Sequence, residues 1–385
     1  MSERISGEEL AALVRRVFQP KDSEKLLGVM VDLPDTEIPD NPEWRDRREM
    51  AFGWVKELAP LKDKLGLETH LILYRNARMN NADLPERAWI YSGDSLPGTA
   101  DELDEKDTEA FADIFRNHTI LLAPTEFSAT APLKLAAQAL QFRAATMPGF
   151  SRSMIPALRL DYTEINRRVL FMKDMVDKAS EADIVFEVDG KDEYRLKLDL
   201  RHRSGHASGG LFPNPGTAGN LPSGETYIVP YEGEQEGDPS RSSGEMPVQF
   251  GDDVVIYKIE ENRAIEVAGG SETALAEARR LKEEPAYGNM AELGLGVLSD
   301  FGIEPSGSIL LDEKLALHIA FGRSDHFGGM VGAKQFSKPE AVVHIDRVYL
   351  ESIQPRVVVK SAKLKKDDGG VVELIRDNKY VIEFG

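Results

Sequence analysis

The segments KLLGVMVDL (residues 25–33) and THLILYR (69–75) enclose a helical pattern around residues 43–65, and together they decide the fold of the N-terminal half. Both segments are nearly all apolar, which is typical of strands covered on both faces of a parallel sheet. The same alternation continues with further helices near residues 7–18, 107–117, 129–142 and 161–182 and strands near 87–93, 118–124 and 143–149. We therefore predict that residues 1–182 form an α/β domain around a mostly parallel, doubly wound sheet.

From residue 183 onwards the pattern changes to a succession of strands. DIVFEVDGKDEYRLKLDLR (183–201) predicts two strands around Asp189-Gly190, a dipeptide that favours a tight hairpin turn. One clear helix, SETALAEARRLKEE (271–284), interrupts the strands, and YEGEQEGDPSRSSGEMP (231–247) predicts an exposed polar loop. Further strands are expected in ETYIVPY, DDVVIYKIEE, SILLDEKLALHIAFG, AVVHIDRVYLE, RVVVKSAKL and KYVIEFG. Residues 183–385 are therefore predicted to form a β-rich domain.

The composition limits the partners and cofactors. The 385 residues include 66 acidic and 47 basic side chains, and the net charge of −19 disfavours nucleic acid or an anionic membrane as the main partner. The chain contains no cysteine, which excludes disulfides, thiolate metal sites, iron–sulfur clusters and cysteine nucleophiles. The N-terminal segment lacks the apolar core of a signal peptide, and no stretch approaches the ~20 apolar residues that span a bilayer. We expect a soluble, cytoplasmic protein that acts on a peptide or another small molecule.

Histidines and carboxylates occur together in short apolar or glycine-rich segments of the second domain. The segments are GNLPSGETYIVP (219–230), AYGNMAELGLG (286–296), LLDEKLALHIAFG (310–322) and AVVHIDRVYL (341–350), with the candidate ligands Glu225, Glu292, Glu313, His318, His344 and Asp346. Buried carboxylates are unfavourable unless they are paired or bound to a cation. Two histidines with several carboxylates form a ligand mixture that suits Zn, Fe(II), Mn or Co. The sequence therefore predicts a metalloenzyme with a catalytic second domain.

Each segment taken alone also has a simpler interpretation. His344 and Asp346 are two residues apart and would share one face of a strand, but a chance match is a simple alternative. The interval of five from Glu313 to His318 does not place both side chains on one face of a regular strand. Glu292 could end a helix before a turn, and Glu225 could open a strand after one. The hypothesis of a metal site therefore depends on the four segments together.

In this order, NLPSGE, AELGLG, LLDEKLALHIAFG and HID resemble the motifs of the thermophilic aminopeptidase T family of metallopeptidases. The resemblance covers the second domain, and the α/β first domain is compatible with it. It implies a homodimeric aminopeptidase, in which two divalent ions (Zn, Co, Mn or Mg) activate water to cleave the N-terminal peptide bond. Matched motif by motif, it implies metal ligands at Glu225, Glu292, Glu313, His318, His344 and Asp346. Glu292 would bridge the two ions, and Glu225 or a neighbouring glutamate would carry the proton to the leaving amine.

Two positions depart from the pattern of that family. Members carry two consecutive glutamates where this chain has Gly224 before a single glutamate, and a tyrosine where this chain has Asp325. That tyrosine is thought to help stabilise the tetrahedral intermediate, and loss of such a donor typically raises the barrier by about 2.7–4 kcal/mol. Asp325, His326 and His206 are therefore further catalytic candidates, and His326, His206 or Arg323 could supply the missing donor.

Two alternative functions stay open. The H-x-D strand also resembles that of Fe(II) dioxygenases of the same fold that open dihydroxypyridine rings, in which a histidine takes the place of Glu292. The retained carboxylates Glu292, Glu313 and Glu225 suit two ions better than one. The departures at Gly224 and Asp325 also suit a repurposed member, such as a biosynthetic enzyme or a metal-free binding protein.

Overall fold

The computed structural model describes residues 3–384. The chain forms two compact units. One contains the chain through Asn166 together with Ser208–Ser223, and the other contains Arg167–Ala207 and the chain from Gly224 onwards. The domain boundary after residue 182 stays a prediction.

Strands and helices are numbered here in chain order. The strands are β1 (Leu26–Leu33), β2 (Glu68–Arg75), β3 (Arg87–Tyr91), β4 (Thr108–Ala110), β5 (Ile120–Ala123), β6 (Arg143–Thr146), β7 (Ala179–Val188), β8 (Asp192–Asp199), β9 (His206–Ser208), β10 (Thr217–Asn220), β11 (Glu225–Ile228), β12 (Ser243–Phe250), β13 (Asp253–Glu260), β14 (Arg263–Ala268), β15 (Met290–Gly296), β16 (Leu317–Gly322), β17 (His344–Val348), β18 (Val357–Lys366), β19 (Val371–Arg376) and β20 (Lys379–Tyr380). The helices are α1 (Gly7–Phe18), α2 (Pro42–Leu58), α3 (Lys62–Leu65), α4 (Phe111–Asn117), α5 (Thr130–Leu140), α6 (Ile155–Leu158), α7 (Tyr162–Asp177), α8 (Glu272–Glu283) and α9 (Ile309–Asp312). Within residues 3–384, none of the helices has the length and apolar character needed to cross a bilayer.

A seven-stranded sheet forms the centre of the first unit, in the order β10-β6-β5-β1-β2-β3-β4. The strands from β10 to β2 run parallel, whereas β3 and β4 are antiparallel. The expectation of an α/β structure around a sheet with parallel strands is therefore confirmed. The helix predicted at 107–117 begins only at Phe111, because Thr108–Ala110 pairs with β3 as a short edge strand.

Two mainly antiparallel sheets make up most of the second unit. The larger has the order β14-β13-β12-β8-β7-β18-β19-β20, and the smaller has the order β17-β16-β15-β11-β9. Aromatic contacts join them: the ring of Phe321 in β16 lies 4.9 Å from that of Tyr257 in β13, and the ring of Phe186 in β7 lies 4.7 Å from that of Tyr349. Alternate residues of β15 and β16 therefore face this core, and the residues between them face the opposite side of the smaller sheet.

The junction between α7 and β7 differs from the prediction. The helix ends at Asp177 rather than near residue 182, because β7 begins at Ala179 and pairs along its length with β18.

The hairpin predicted at Asp189-Gly190 is confirmed. Both residues have positive φ (54° and 66°), which a two-residue turn of this kind requires.

The segment before β16 also differs from the prediction. SILLDEKLALHIAFG was expected to be one strand, but it forms α9, a turn and then β16. Asp312 stabilises the turn before α9, because its carboxylate accepts hydrogen bonds from the backbone N–H groups of Ser306 (2.7 Å) and Gly307 (3.0 Å). The loop predicted at 231–247 ends earlier than expected, because β12 begins at Ser243.

Asp32 is a buried carboxylate near the end of β1. Its Oδ1 accepts hydrogen bonds from the N–H of Glu126 (2.8 Å) and the indole of Trp44 (3.1 Å), and its Oδ2 accepts one from Phe127 (3.0 Å). Burial raises the pKa of Asp32 to about 6, although the backbone N–H groups of Glu126 and Phe127 oppose the rise. The pKa in the unfolded chain is about 3.9, so the folded state binds this proton more tightly.

This raised pKa predicts how stability depends on pH. The stabilisation by protonated Asp32 is complete below about pH 3.9 and is lost as the pH rises through about 6. We expect the free energy of unfolding of the wild type, minus that of Asp32→Asn, to decrease by about 2 kcal/mol between about pH 4.5 and about pH 7.5. All three tryptophans (Trp44, Trp54 and Trp89) lie in the first unit, so tryptophan fluorescence during urea unfolding follows that unit. A difference that does not change with pH would contradict the prediction.

Candidate metal centre

The candidate ligands lie on the face of the smaller sheet that points away from the aromatic core. Gly294 of β15 is opposite His318 of β16. In the next row, Ala320 of β16 lies between Glu292 of β15 and Asp346 of β17. Paired residues of antiparallel strands project to the same face, so residues distant in the chain meet here. The small residues Gly294 and Ala320 leave room between the larger side chains.

Glu292 is the centre of the cluster. Its Oε1 lies 3.3 Å from Nε2 of His318, and its Oε2 lies 3.2 Å from Nε2 of His344. Oε2 of Glu225 lies 3.5 Å from the same nitrogen of His318, and Oδ1 of Asp346 lies 3.5 Å from that of His344. Two groups of potential ligands, each within 4.8 Å, therefore share Glu292. They are Glu225, Glu292 and His318, and Glu292, His344 and Asp346.

The charges and unsatisfied atoms of this cluster fit a divalent cation. Oε2 of Glu225 and Oδ1 of Asp346 are buried and accept no hydrogen bond from the part of the chain that the structure describes. Burial lowers the pKa of His318, but Glu292 and Glu225 outweigh this effect and raise it to about 9. The pKa of His344 is also raised, against burial, by Asp346 and Glu292. Excess buried carboxylate beside imidazoles is a donor set that a metal ion would satisfy.

Hydrogen bonds to main-chain carbonyls orient the two imidazole rings. Nδ1–H of His318 donates to the carbonyl of Ala316 (3.2 Å), and Nδ1–H of His344 donates to that of Arg323 (2.8 Å). A carbonyl oxygen can only accept a hydrogen bond. When the imidazole of His318 or His344 is neutral, its single N–H proton is therefore on Nδ1. The lone pair of Nε2 then points towards Glu292, as in histidines that bind metals.

The glycines of AELGLG provide the space that the cluster needs. A Cβ atom at Gly294 would lie 1.9 Å from Nε2 of His318, so the imidazole occupies the space over this residue. A Cβ atom at Gly296 would lie 2.3 Å from the carbonyl carbon of Lys314, where the chain crosses β15. Neither glycine has a positive φ, so the requirement is close approach rather than an unusual backbone conformation.

Lys314 is a buried cation beside the cluster. Its Nζ lies 2.5 Å from Oε1 of Glu225 and also donates to Glu313. Glu313 thus contacts Lys314. It belongs to neither of the two groups of potential metal ligands that share Glu292. Burial raises the pKa of Glu313 to about 8, although Lys314 opposes the rise. The sequence does not predict that Lys314 is buried or paired with Glu225, because lysines are usually exposed and Glu225 is 89 residues away.

Asp325 and His326 lie beside the cluster rather than in it. The carboxylate of Asp325 binds Nε of Arg323 at 2.5 Å, so Asp325 accepts hydrogen bonds and does not replace a missing donor. The ring of His326 lies 5.3 Å from that of His344, and burial lowers the pKa of His326 to about 4. His326 is therefore a neutral side chain next to the ligands at ordinary pH.

Tyr227 and His206 form a stack at the edge of the cluster. Tyr227 follows Glu225 by two residues on β11 and therefore shares its face of the sheet. The ring of His206 stacks on it at 5.0 Å. Burial raises the pKa of Tyr227, and the nearby carboxylates of Glu225 and Glu292 raise it further, so the phenol keeps its proton. The spacing of two from Glu225 is a sequence signal that could have identified Tyr227.

Comparison with known proteins adds evidence about the fold. No family model matches the chain, and none of the curated proteins compared matches its sequence. The structure of 2,5-dihydroxypyridine dioxygenase from Pseudomonas putida KT2440 is similar, with a TM-score of 0.60 and 12% identity over 98% of this chain and 99% of that chain. Wild-type AmpT from Thermus thermophilus is also similar, with a TM-score of 0.53 and 16% identity over 98% of this chain and 99% of that chain. At these identities the similarity shows the fold, and it agrees with the fold that both sequence resemblances implied.

Proposed function

We propose that the chain is a metal-dependent hydrolase of the aminopeptidase type that holds two divalent ions. The observation that carries this proposal is the position of Glu292, because each of its two oxygens faces a different histidine. One ion would be held by Glu225, Glu292 and His318, and the other by Glu292, His344 and Asp346. Zn, Co, Mn and Mg are the candidate metals for such carboxylate and imidazole donors.

The residues around the cluster can position the substrate and move its proton. When bound, two divalent ions supply a polarised scissile carbonyl and a water of lowered pKa. Lys314 holds Oε1 of Glu225 at 2.5 Å, which leaves Oε2 of Glu225 facing His318. That oxygen is the one free to hold an ion, so we assign the transfer of a proton from water to the leaving amine to Glu313, the neighbouring glutamate that Lys314 also contacts. The water oxygen bonds to the acyl carbon, the C–N bond breaks, and the amine leaves with the transferred proton.

Metal content and peptide cleavage test this proposal together. Protein purified without chelator should hold about two divalent ions per chain and should release the N-terminal residue from short peptides. The same peptides with an acetylated N-terminus are the matched control, because they keep the scissile bond but lack the free amine, and they should stay intact. One ion or fewer per chain, without release of amino acids, would contradict the proposal.

A ring-cleaving dioxygenase is the second candidate function. Glu292, His344 and Asp346 by themselves form a group of three donors that could hold a single Fe(II) ion, although with one histidine rather than two. The similarity to a 2,5-dihydroxypyridine dioxygenase supports this candidate at the level of the fold. Oxygen consumption by the Fe(II)-loaded protein in the presence of a dihydroxypyridine would favour it. Turnover that is equal with and without oxygen would exclude it.

A further inference from the structure

Tyr227 lies next to His318 on the ligand face of the smaller sheet. It is opposite Gly294, which in turn is opposite His318. Because a Cβ atom at Gly294 would lie 1.9 Å from Nε2 of His318, this nitrogen lies over β15, the strand between His318 and Tyr227. The phenol ring and the nitrogen that would bind metal are therefore neighbours on the same face.

Neighbouring rings hold Tyr227 in place. The ring of His206 stacks on it at 5.0 Å with an angle of 19° between the planes, and the ring of Phe327 lies 4.8 Å away. His206 also donates a hydrogen bond from Nε2–H to the carbonyl of Phe327 (3.0 Å), which ties these two neighbours together. The ring of Phe327 lies 5.5 Å from that of His344. Tyr227 therefore lies across β15 from His318, and the ring of Phe327 neighbours both Tyr227 and His344.

The hydroxyl of Tyr227 makes no hydrogen bond with residues 3–384. Other tyrosines of the same unit do donate theirs: Tyr231 to the carbonyl of Asp238 (2.7 Å), and Tyr349 to that of Pro247 (2.9 Å). The hydroxyl of Tyr227 is accessible rather than buried. A molecule bound beside the cluster of metal ligands can therefore accept its hydrogen bond without displacing a protein partner.

Two cationic donors near the cluster are already engaged. The guanidinium of Arg323 binds Asp325 at 2.5 Å. The ammonium of Lys314 lies 2.5 Å from Glu225 and is shared with a second glutamate. Tyr227 therefore offers a donor whose use by a substrate would not break an existing ion pair.

We propose that the hydroxyl of Tyr227 donates a hydrogen bond to the substrate oxygen on which negative charge develops when water adds to the scissile carbonyl. This inference rests on the proposed hydrolase function. The phenol keeps its proton throughout, so the bond changes and the proton transfer are those described above. A donor that acts on charge present only in the transition state raises kcat and has little effect on KM.

Tyr227→Phe removes this hydroxyl and keeps the ring. In the full-length, metal-loaded protein we expect kcat for peptide cleavage to fall by about 10²–10³-fold, while KM stays within about threefold. Metal content and thermal stability should stay those of the wild type. Tyr194→Phe is the matched control, because Tyr194 is a half-buried tyrosine on β8 of the larger sheet, and it should leave kcat unchanged.

Three results would overturn the inference: an unchanged kcat, an increase in KM alone, or loss of metal from Tyr227→Phe. If the wild-type protein cleaves no peptide, the proposed function fails, and the role of Tyr227 is then tested by binding. Calorimetric titration of the metal-loaded protein with the phosphonate analogue of leucine, a tetrahedral anion, should show an affinity at least about tenfold lower for Tyr227→Phe than for the wild type. Equal affinities, or no binding by either protein, would overturn the inference.

Discussion

Replacement of Glu292 by glutamine is expected to remove both ions from the site and to lower peptide hydrolysis at least about a thousandfold, which corresponds to about 4 kcal/mol of transition-state stabilisation. The two oxygens of Glu292 lie 3.3 Å from His318 and 3.2 Å from His344, so each half of the proposed site would use one of them. A glutamine amide is neutral and has only one oxygen, so no orientation of it satisfies both halves. Elemental analysis of the purified variant measures the loss directly.

Thermal unfolding gives a second measurement that does not depend on the substrate. Added Zn should raise the unfolding temperature of the wild type, because it binds the folded state, and should have little effect on Glu292→Gln. Glu277→Gln is the matched control: Glu277 is a glutamate of the same unit whose Oε2 accepts hydrogen bonds from Tyr257 and Tyr287 (2.6 Å each). This control should keep about two ions per chain. Retention of both ions by Glu292→Gln would show that Glu292 does not bridge them.

The central strands of the first unit could be predicted because a strand that is buried on both faces has an almost uninterrupted apolar sequence. In β1, all residues after Leu26 are buried, and the corresponding stretch is almost uninterruptedly apolar. The edge strand β4 has no such sequence. It has only three residues, Thr108–Ala110, and is defined by its pairing with β3, so the sequence pattern predicts these residues as part of the following helix.

The candidate site could be predicted where its residues follow strand periodicity. His344 and Asp346 are two residues apart on β17, and the structure brings both to the face that carries Glu292. Glu313 follows no such rule, because it lies at the end of α9 and is separated from β16 by a turn. The resemblance placed Glu313 among the ligands, whereas the structure places it against Lys314.

The spacing of two from Glu225 could have placed Tyr227 on the ligand face, but the environments of Lys314 and Tyr227 could not be predicted, because they depend on distant parts of the chain. Lys314 is buried, and one of its two carboxylate partners is Glu225, which is 89 residues away in the chain. Tyr227 lies in an ordinary strand segment, and its position next to His318 depends on the pairing of β11, β15 and β16. Local patterns predict which face a side chain takes, but not which side chains of other strands it meets.

Replacement of Gly294 by alanine is expected to disable one half of the site and to leave the other. The new Cβ atom would lie 1.9 Å from Nε2, 2.2 Å from Cε1 and 2.5 Å from Cδ2 of His318, so the imidazole must move away from Glu292. His318 is fully buried, so the strain from the added methyl group is expected to lower the free energy of unfolding by about 1–3 kcal/mol. The three atoms nearest to the added methyl group all belong to His318 and none to His344 or Asp346, so metal content should fall from about two ions to about one.

Gly270→Ala is the matched control for this steric effect. Gly270 lies in the same unit, in the connection before α8, and a Cβ atom there would meet nothing within 4 Å. This control should keep the metal content and the stability of the wild type, so that any change in Gly294→Ala reports on the space above β15. Peptide hydrolysis should fall with the lost ion, because in the proposed mechanism the two ions would act on the same carbonyl and water. Full metal content in Gly294→Ala would mean that His318 can bind from another position and that the site does not require the contact between His318 and Gly294.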